Sequence, residues 1–159
     1  MSHPKHWSRS HPKENTMPII QLSLPTGVLD DITLRDLQKT LAATLLKWEG
    51  APDTAFFRAQ AWCLIDEVPA GRFLALEDDL PRFRVDVTVP EGAVSQRRKD
   101  GLVKEVTELL AAAAGLPGAE ALRVWVLIHD QPEGTWGAGG TVIRFRDLKA
   151  KAQPSAAKV

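Results

Sequence analysis

An internal repeat limits the fold more than any other feature of this sequence. Trp62–Phe73 reads WCLIDEVPAGRF and Trp125–Trp136 reads WVLIHDQPEGTW, so that Trp, Leu-Ile, Pro and Gly recur in register 63 residues apart. Further upstream, two apolar strands end at the similar turns PTG (25–27) and PEG (90–92), 65 residues apart. Recurrence at a nearly fixed spacing indicates a tandem duplication. The chain is therefore predicted to contain two copies of one β-α-β unit.

Each copy also carries an amphipathic helix after its first strand. Apolar residues at steps of three and four form one stripe on each helix: Leu34, Leu37, Leu41, Leu45 and Trp48 in the first copy, and Leu102, Val106, Leu109, Leu110 and Ala113 in the second. N-cap candidates are Asp30, Asp31 and Thr33 for the first helix and Ser95 for the second, and Gly50 and Gly115 are suited to end the two helices. The second strand of each copy is predicted at residues 58–65 and 122–128.

The repeat also fixes the predicted domain organisation. One domain spans residues 17–148, with unit one at 18–73, an acidic linker at 74–81 and unit two at 82–148. Residues 1–16 and 149–159 lack helical or strand periodicity and are predicted to be disordered. We expect residues 1–16 to be either a mis-assigned start or a removable leader.

Two such units predict an α+β fold: a four-stranded sheet with two helices on one face, because both right-handed crossovers fall on the same side. No helix remains for the other face, which carries Trp62, Leu64, Trp125 and Leu127. An uncovered apolar sheet face predicts burial against other subunits.

The composition excludes several classes of protein. Twenty basic and twenty acidic residues cancel, so no net charge favours a nucleic-acid or membrane partner. A single cysteine, Cys63, excludes an intramolecular disulfide and a multi-cysteine metal site, and no metal is expected. The N-terminus lacks the apolar segment of a signal peptide, which makes a cytoplasmic location the default expectation.

The dipeptide Met17-Pro18 opens the first strand and carries the chemistry of most interest. If translation begins at Met17, or the chain is cut after it, Pro18 becomes an N-terminal secondary amine. Such an amine has a reference pKa near 7.7 to 8.0 and can act as a base or a nucleophile. If the preceding residues stay attached, the Pro18 nitrogen is an amide and can do neither.

A strand beginning Met-Pro-Ile-Ile, a β-α-β unit of about sixty residues, and Arg-Val followed by a Trp-Gly-x-Gly-Gly turn together resemble the tautomerase superfamily. This group contains 4-oxalocrotonate tautomerase, macrophage migration inhibitory factor and cis-3-chloroacrylic acid dehalogenase. The resemblance covers roughly residues 17–148 and implies two fused units. It also implies a homotrimer and an isomerase that needs no cofactor.

The resemblance assigns roles to three residues. Pro18 matches the catalytic proline, which moves a proton between carbon and oxygen of a small 2-oxo or enol acid. Arg123 matches a strand arginine that binds the substrate carboxylate, and Trp136 matches an aromatic wall of the active site. The second unit has Phe83 in place of Pro18, so it carries no second base.

Departures from the family leave alternatives open. The arginine that follows the first-strand glycine is replaced by Val28 in unit one and Ala93 in unit two. A non-catalytic oligomeric binding protein on the same fold is therefore one alternative, and a dehalogenase or decarboxylase relative is another. For Arg123 the alternative role is an ion pair, for which Asp86 is a candidate; for Trp136 it is packing; and Pro18 is otherwise an ordinary strand-opening proline.

Overall fold

A computed structural model describes residues 17–145 of the chain. The predicted disorder of residues 1–16 and 149–159 lies outside the described residues. The secondary-structure elements follow one another in the order β1 (Ile19–Pro25), α1 (Asp31–Glu49), α2 (Ala55–Gln60), β2 (Trp62–Val68), β3 (Phe83–Pro90), α3 (Gln96–Ala114), a 3₁₀ helix (Gly118–Arg123), β4 (Val124–Gln131), β5 (Gly137–Ala138) and β6 (Thr141–Val142).

The main sheet has the strand order β2-β1-β3-β4. β1 is parallel to β2, and β3 is parallel to β4, as a helical crossover requires. The two units meet at the antiparallel pair β1 and β3, where Ile19 pairs with Thr88 and Ser23 with Arg84. The predicted α+β fold with two tandem β-α-β units is confirmed. The first strands of the two units consequently begin at opposite ends of the sheet.

The two long helices begin and end in the same way. Asp30 Oδ1 accepts a hydrogen bond from the Thr33 amide at 2.7 Å, and Ser95 Oγ accepts one from the Arg98 amide at 3.3 Å. Gly50 and Gly115 adopt positive φ angles of 70° and 66°, the left-handed conformation that ends a helix at low cost when no Cβ is present. Of the three candidates for the first cap the structure selects Asp30, and the predicted cap Ser95 and both predicted helix ends are confirmed.

The core lies between these helices and one face of the sheet. Alternation along each strand sends every second side chain into it. Its fully buried members are Ile20, Leu22, Leu24, Leu41, Leu45, Val85, Val87, Val89, Leu102, Val106 and Leu110. Burying each such side chain contributes about 1.5–3 kcal/mol. This layer holds the two units together.

The helices α1 and α3 also touch directly, through an aromatic ring and a glycine. A Cβ added to Gly101 would lie 2.2 Å from Cη2 of Trp48. The indole Nε1 donates to Glu105 at 2.5 Å, and Lys47 Nζ contacts the same carboxylate at 2.5 Å. The ring is therefore fixed, and a glycine is needed inside α3 to make room for it.

Two strand boundaries differ from prediction. Residues 58–60 belong to the short helix α2, because Thr54 caps it and Phe57 anchors it in the interior, so β2 starts only at Trp62. Leu122 lies in the 3₁₀ helix with 86% of its surface exposed, and β4 starts at Val124. In both places a short helical turn lies directly before the strand. Because its apolar content is similar to that of the strand, the residue pattern alone does not separate the two.

The other face of the sheet has no helix over it in residues 17–145, as predicted. Trp62 is 63% exposed and Trp125 66% exposed, and Leu64 is also exposed. No helix among the described residues is long and apolar enough to cross a membrane.

Candidate active site

Pro18 lies directly before β1 and is buried. Its carbonyl accepts a hydrogen bond from the Trp62 amide at 3.2 Å, which ties it to the start of β2. In the chain as described, its nitrogen forms the amide bond to Met17. Pro18 is therefore held at one end of the sheet, but its nitrogen carries neither a proton nor a free lone pair.

A small apolar cluster surrounds Met17. The side chains of Met17 and Phe145 are both buried, and Trp136, Ala138 and Ile143 pack against them. Trp136 and Phe145 meet edge to face with ring centroids 6.2 Å apart. The structure thus brings the predicted wall residue Trp136 next to the residue that precedes Pro18.

The hairpin of β5 and β6 positions this cluster. The Ile143 amide donates to the Trp136 carbonyl at 2.7 Å, and two glycines with positive φ, Gly139 and Gly140, make the turn. The Phe145 amide donates to the Glu133 carboxylate, with both oxygens at 3.2 Å. The glycine-rich turn predicted from the sequence connects β5 to β6, and this hairpin places Trp136 near the start of β1.

A polar group lies on the uncovered face near the same end. Thr88 pairs with Ile19 on one side and with His129 on the other. The backbones of Ile19 and His129 are therefore two strand spacings, or about 10 Å, apart. Its Nε2 lies 2.9 Å from Asp86 Oδ1, and Arg84 forms two further hydrogen bonds to that carboxylate at 2.9 and 3.0 Å. Partial burial alone would raise the pKa of Asp86, but the hydrogen bonds from Arg84 and His129 hold it below its usual value.

Arg123 occupies the opposite end of the sheet. Its Nε donates to the Pro81 carbonyl at 2.9 Å, and its Nη1 lies 3.3 Å from Glu120. The ion pair considered for Arg123 therefore forms with Glu120, and Asp86 is instead paired with Arg84. Arg123 also helps to line an open cavity of about 390 Å³, together with Phe73, Phe83, Arg84 and Trp125.

One chain does not bring Arg123 and Pro18 together. Pro18 is level with Val89 and Arg123 with Arg82, seven residues apart along β3. At a rise of about 3.3 Å per residue the separation is roughly 23 Å. A substrate that contacts both residues would need them from different chains.

Sequence reasoning missed one titratable residue at the Pro18 end, Glu49. It is the last residue of α1 and has no exposed surface. Among residues 17–145 neither carboxylate oxygen has a hydrogen-bond partner, and burial raises the pKa of this group well above its usual value. The signal was available, since Glu49 follows Leu45 by four residues on the apolar stripe.

Metal chemistry has no ready set of ligands in the described region. Residues 17–145 contain no group of three or more His, Cys, Asp or Glu side chains arranged to hold an ion. The groups at the Pro18 end are the proline nitrogen, the Trp136 ring and the buried Glu49 carboxyl group. Together with the fold, this defines a class: a tandem β-α-β protein with a proline at the opening of its first strand.

Comparison with known proteins agrees with that class. Residues 84–146 match the family described as Tautomerase enzyme. Comparison with curated protein sequences gives no match. Residues 84–146 are therefore similar in sequence to that family, and the tandem fold of the described residues is consistent with this similarity.

Solved structures show the same fold over most of the chain. Pt0534, in a structure of that protein inactivated by 2-oxo-3-pentynoate, is 21% identical, with 78% of this chain and 95% of that chain covered and a TM-score of 0.67. An asymmetric trimer of wild-type fused 4-OT is 22% identical, with coverage of 82% and 98% and a TM-score of 0.65. A macrophage migration inhibitory factor-like protein from Entamoeba histolytica is 14% identical, with coverage of 80% and 100% and a TM-score of 0.65.

Proposed function

We propose that this protein is a cofactor-free keto-enol tautomerase in which Pro18, once its amine is free, acts as the general base on a small 2-oxo acid. The observation that carries the proposal is the position of Pro18: buried, opening β1 of a tautomerase fold, with Trp136 beside the preceding residue. The apolar surroundings favour the neutral amine, because burial disfavours charge. A neutral amine near pH 7 is suited to proton transfer.

The proposed reaction moves one proton twice. The neutral Pro18 nitrogen takes the proton from the enol oxygen and becomes an ammonium, and the carbonyl forms as the enol double bond shifts. The ammonium then returns a proton to the neighbouring carbon, which gives the keto acid and restores the neutral amine. No electron leaves the substrate and no group is transferred.

Assembly is part of the proposal. We propose a homotrimer, because the exposed face with Trp62, Leu64 and Trp125 is large and apolar, and because the fused 4-OT neighbour is a trimer. Since Pro18 and Arg123 lie roughly 23 Å apart in one chain, Arg123 of one chain is proposed to bind the substrate carboxylate beside Pro18 of another. A guanidinium is suited to that role because it can form two parallel hydrogen bonds to a carboxylate.

The test uses a chain that starts at Met17, so that methionine removal frees Pro18. Phenylpyruvate and 2-hydroxymuconate ketonisation are compared between this chain, its Pro18→Ala variant and the full 159-residue chain. Activity is expected only in the first. Equal rates for the first two would rule out Pro18 as the base. Arg123→Ala is expected to raise KM, whereas Arg35→Ala, on the exposed side of α1, serves as the control for loss of one positive charge.

A second function follows from a separate observation. Met17 is itself buried against Phe145 and Trp136, so in the full chain it occupies space beside the Pro18 nitrogen. A protein that keeps residues 1–17 would be a non-catalytic, oligomeric binding protein on the same fold. Intact-mass measurement of the protein from its native source separates the two: a mass that includes Met17 favours the binding protein.

A further inference from the structure

Glu49 lies at the same end of the core as Pro18, by the topology of the first unit. β1 and β2 are parallel and pair Ile19 with Trp62, so both strands start at one end of the sheet. Helix α1 runs back between them and ends at Glu49, which is therefore at that end. By the alternation that buries Ile20 and Leu22, Pro18 is on the helix side of the sheet.

The carboxyl group of Glu49 has no partner in the described structure. It has no exposed surface, and neither oxygen accepts a hydrogen bond. It also stands at the C-terminal end of α1, where the helix dipole further disfavours a negative charge. A carboxyl group buried in this way either keeps its proton or is paired with a cation.

Three cations at this end of the core have partners other than the Glu49 carboxylate. Arg98, on α3, donates to the carbonyls of Trp48 and Glu49 at 3.3 and 3.1 Å rather than to the carboxylate. Lys47, on α1, pairs with Glu105, and Arg58, on α2, pairs with Asp53, each at 2.5 Å. Once Met17 has been removed, the Pro18 amine is a further cation source at this end of the core.

We infer that Glu49 is the positioning residue for the Pro18 amine: its carboxylate accepts a hydrogen bond from the ammonium that forms when Met17 is removed. This inference rests on the proposed function, because it assumes a free Pro18. The pair shares one proton. Glu49 is a neutral acid when the amine is neutral, and it is a carboxylate when the amine is an ammonium.

The first experiment compares melting temperatures in a cycle of four proteins: the full chain and the Pro18-start chain, each with and without Glu49→Gln. The shorter chain keeps every element from β1 to β6. In the full chain the substitution replaces an unpaired buried acid and is expected to raise the melting temperature. In the Pro18-start chain it removes half of a pair and is expected to lower it. Equal shifts in both chains would overturn the inference, as would a variant that fails to fold in both.

The second experiment measures the apparent pKa of the Pro18 amine from the pH dependence of its modification by 2-oxo-3-pentynoate. This activated alkyne reacts with the neutral amine: the nitrogen adds to the alkyne and the proton ends on carbon. Glu49→Gln is expected to lower that pKa by about one unit or more. Glu108→Gln, an exposed carboxyl group on α3, is the control and should leave it unchanged.

These measurements separate the inference from the proposed function. If the Pro18-start chain ketonises no substrate but its melting temperature and amine pKa respond to Glu49→Gln, the proposed function fails and the pairing stands. If ketonisation occurs but neither the melting temperature nor the amine pKa of the Pro18-start chain responds to Glu49→Gln, the pairing is wrong and the proposed function stands.

Discussion

Replacing Gly101 by alanine tests whether the contact between α1 and α3 is as tight as the structure shows. In an open helix interior this change stabilises a protein by about 1 kcal/mol, because alanine restricts the unfolded chain and favours the helix. Here the new methyl carbon would lie 2.2 Å from Cη2 and 2.4 Å from Cζ3 of Trp48. The sign of the effect therefore depends on whether the indole can move away.

The magnitude follows from the geometry. The ring would have to retreat by about 1.2 Å to restore ordinary contact at 3.4 Å, and its hydrogen bond to Glu105 opposes that movement. Overpacking of this kind costs about 1–3 kcal/mol. The stabilisation of the helix by alanine offsets about 1 kcal/mol of this cost. Gly101→Ala is therefore expected to destabilise the protein by about 1 kcal/mol, which lowers the melting temperature by roughly 2–4 °C for a chain of this length.

The assay is urea unfolding followed by circular dichroism at one protein concentration, with Gly118→Ala as the control because its added carbon meets nothing within 4 Å. A second background supplies the sharper comparison. Trp48→Phe removes the ring atoms that clash, so that Gly101→Ala should stabilise that variant by about 1 kcal/mol. The coupling between the two sites is then about 2 kcal/mol, within the range for residues in contact. Stabilisation by Gly101→Ala in the unchanged protein would refute the reasoning.

Three further predictions concern single side chains. Burial raises the pKa of Glu49 above its ordinary 4.5, so the folded full chain retains a proton that the unfolded chain has lost. The contribution of Glu49 to stability should therefore be greatest below pH 4.5 and fall by about 1.4 kcal/mol per pH unit until the raised pKa is reached. In urea titrations the stability difference between Glu49→Gln and the unchanged chain should change with pH at this slope, and a difference that stays constant with pH would contradict the assignment. Ser95→Ala removes the cap of α3 and should cost about 1 kcal/mol in the same assay; no loss would mean that the cap is dispensable. Burial raises the pKa of Cys63 to about 12, so its thiol should react with a colorimetric reagent at pH 8 far more slowly when folded than in urea; equal rates would mean that the thiol is accessible.

The overall fold was predictable because the repeat and the helical stripes are properties of residue spacing. Leu34, Leu41 and Leu45 occupy one helix face wherever the helix packs, and the alternating valines of β3 leave little choice of face. The boundaries of β2 and β4 were not predictable in the same way. Short helical turns such as α2 contain apolar residues of their own, and only tertiary packing, here the burial of Phe57, distinguishes them from strand residues.

The candidate site was predictable in part. Pro18 and Trp136 were predicted from sequence as site residues, and the structure places Trp136 against Met17, the residue before Pro18; their roles stay predictions. The distance between Pro18 and Arg123 could not be read from the sequence, since it depends on the antiparallel pairing of β1 with β3. Whether Arg123 binds substrate stays a prediction. Glu49 was missed because a charged residue that continues an apolar stripe is ordinarily read as the end of that stripe.

The antiparallel pairing of β1 and β3 has a consequence for how a duplicated gene can diverge. Phe83 holds in unit two the place that Pro18 holds in unit one, but the polypeptide of residues 74–81 always precedes it. No trimming of the chain terminus can turn position 83 into an N-terminal amine. Once the two units were joined, selection could not maintain an amine there, and the position became free to take a large apolar side chain, which now fills the core at that end. Fusion itself made the two halves chemically unequal before any residue changed.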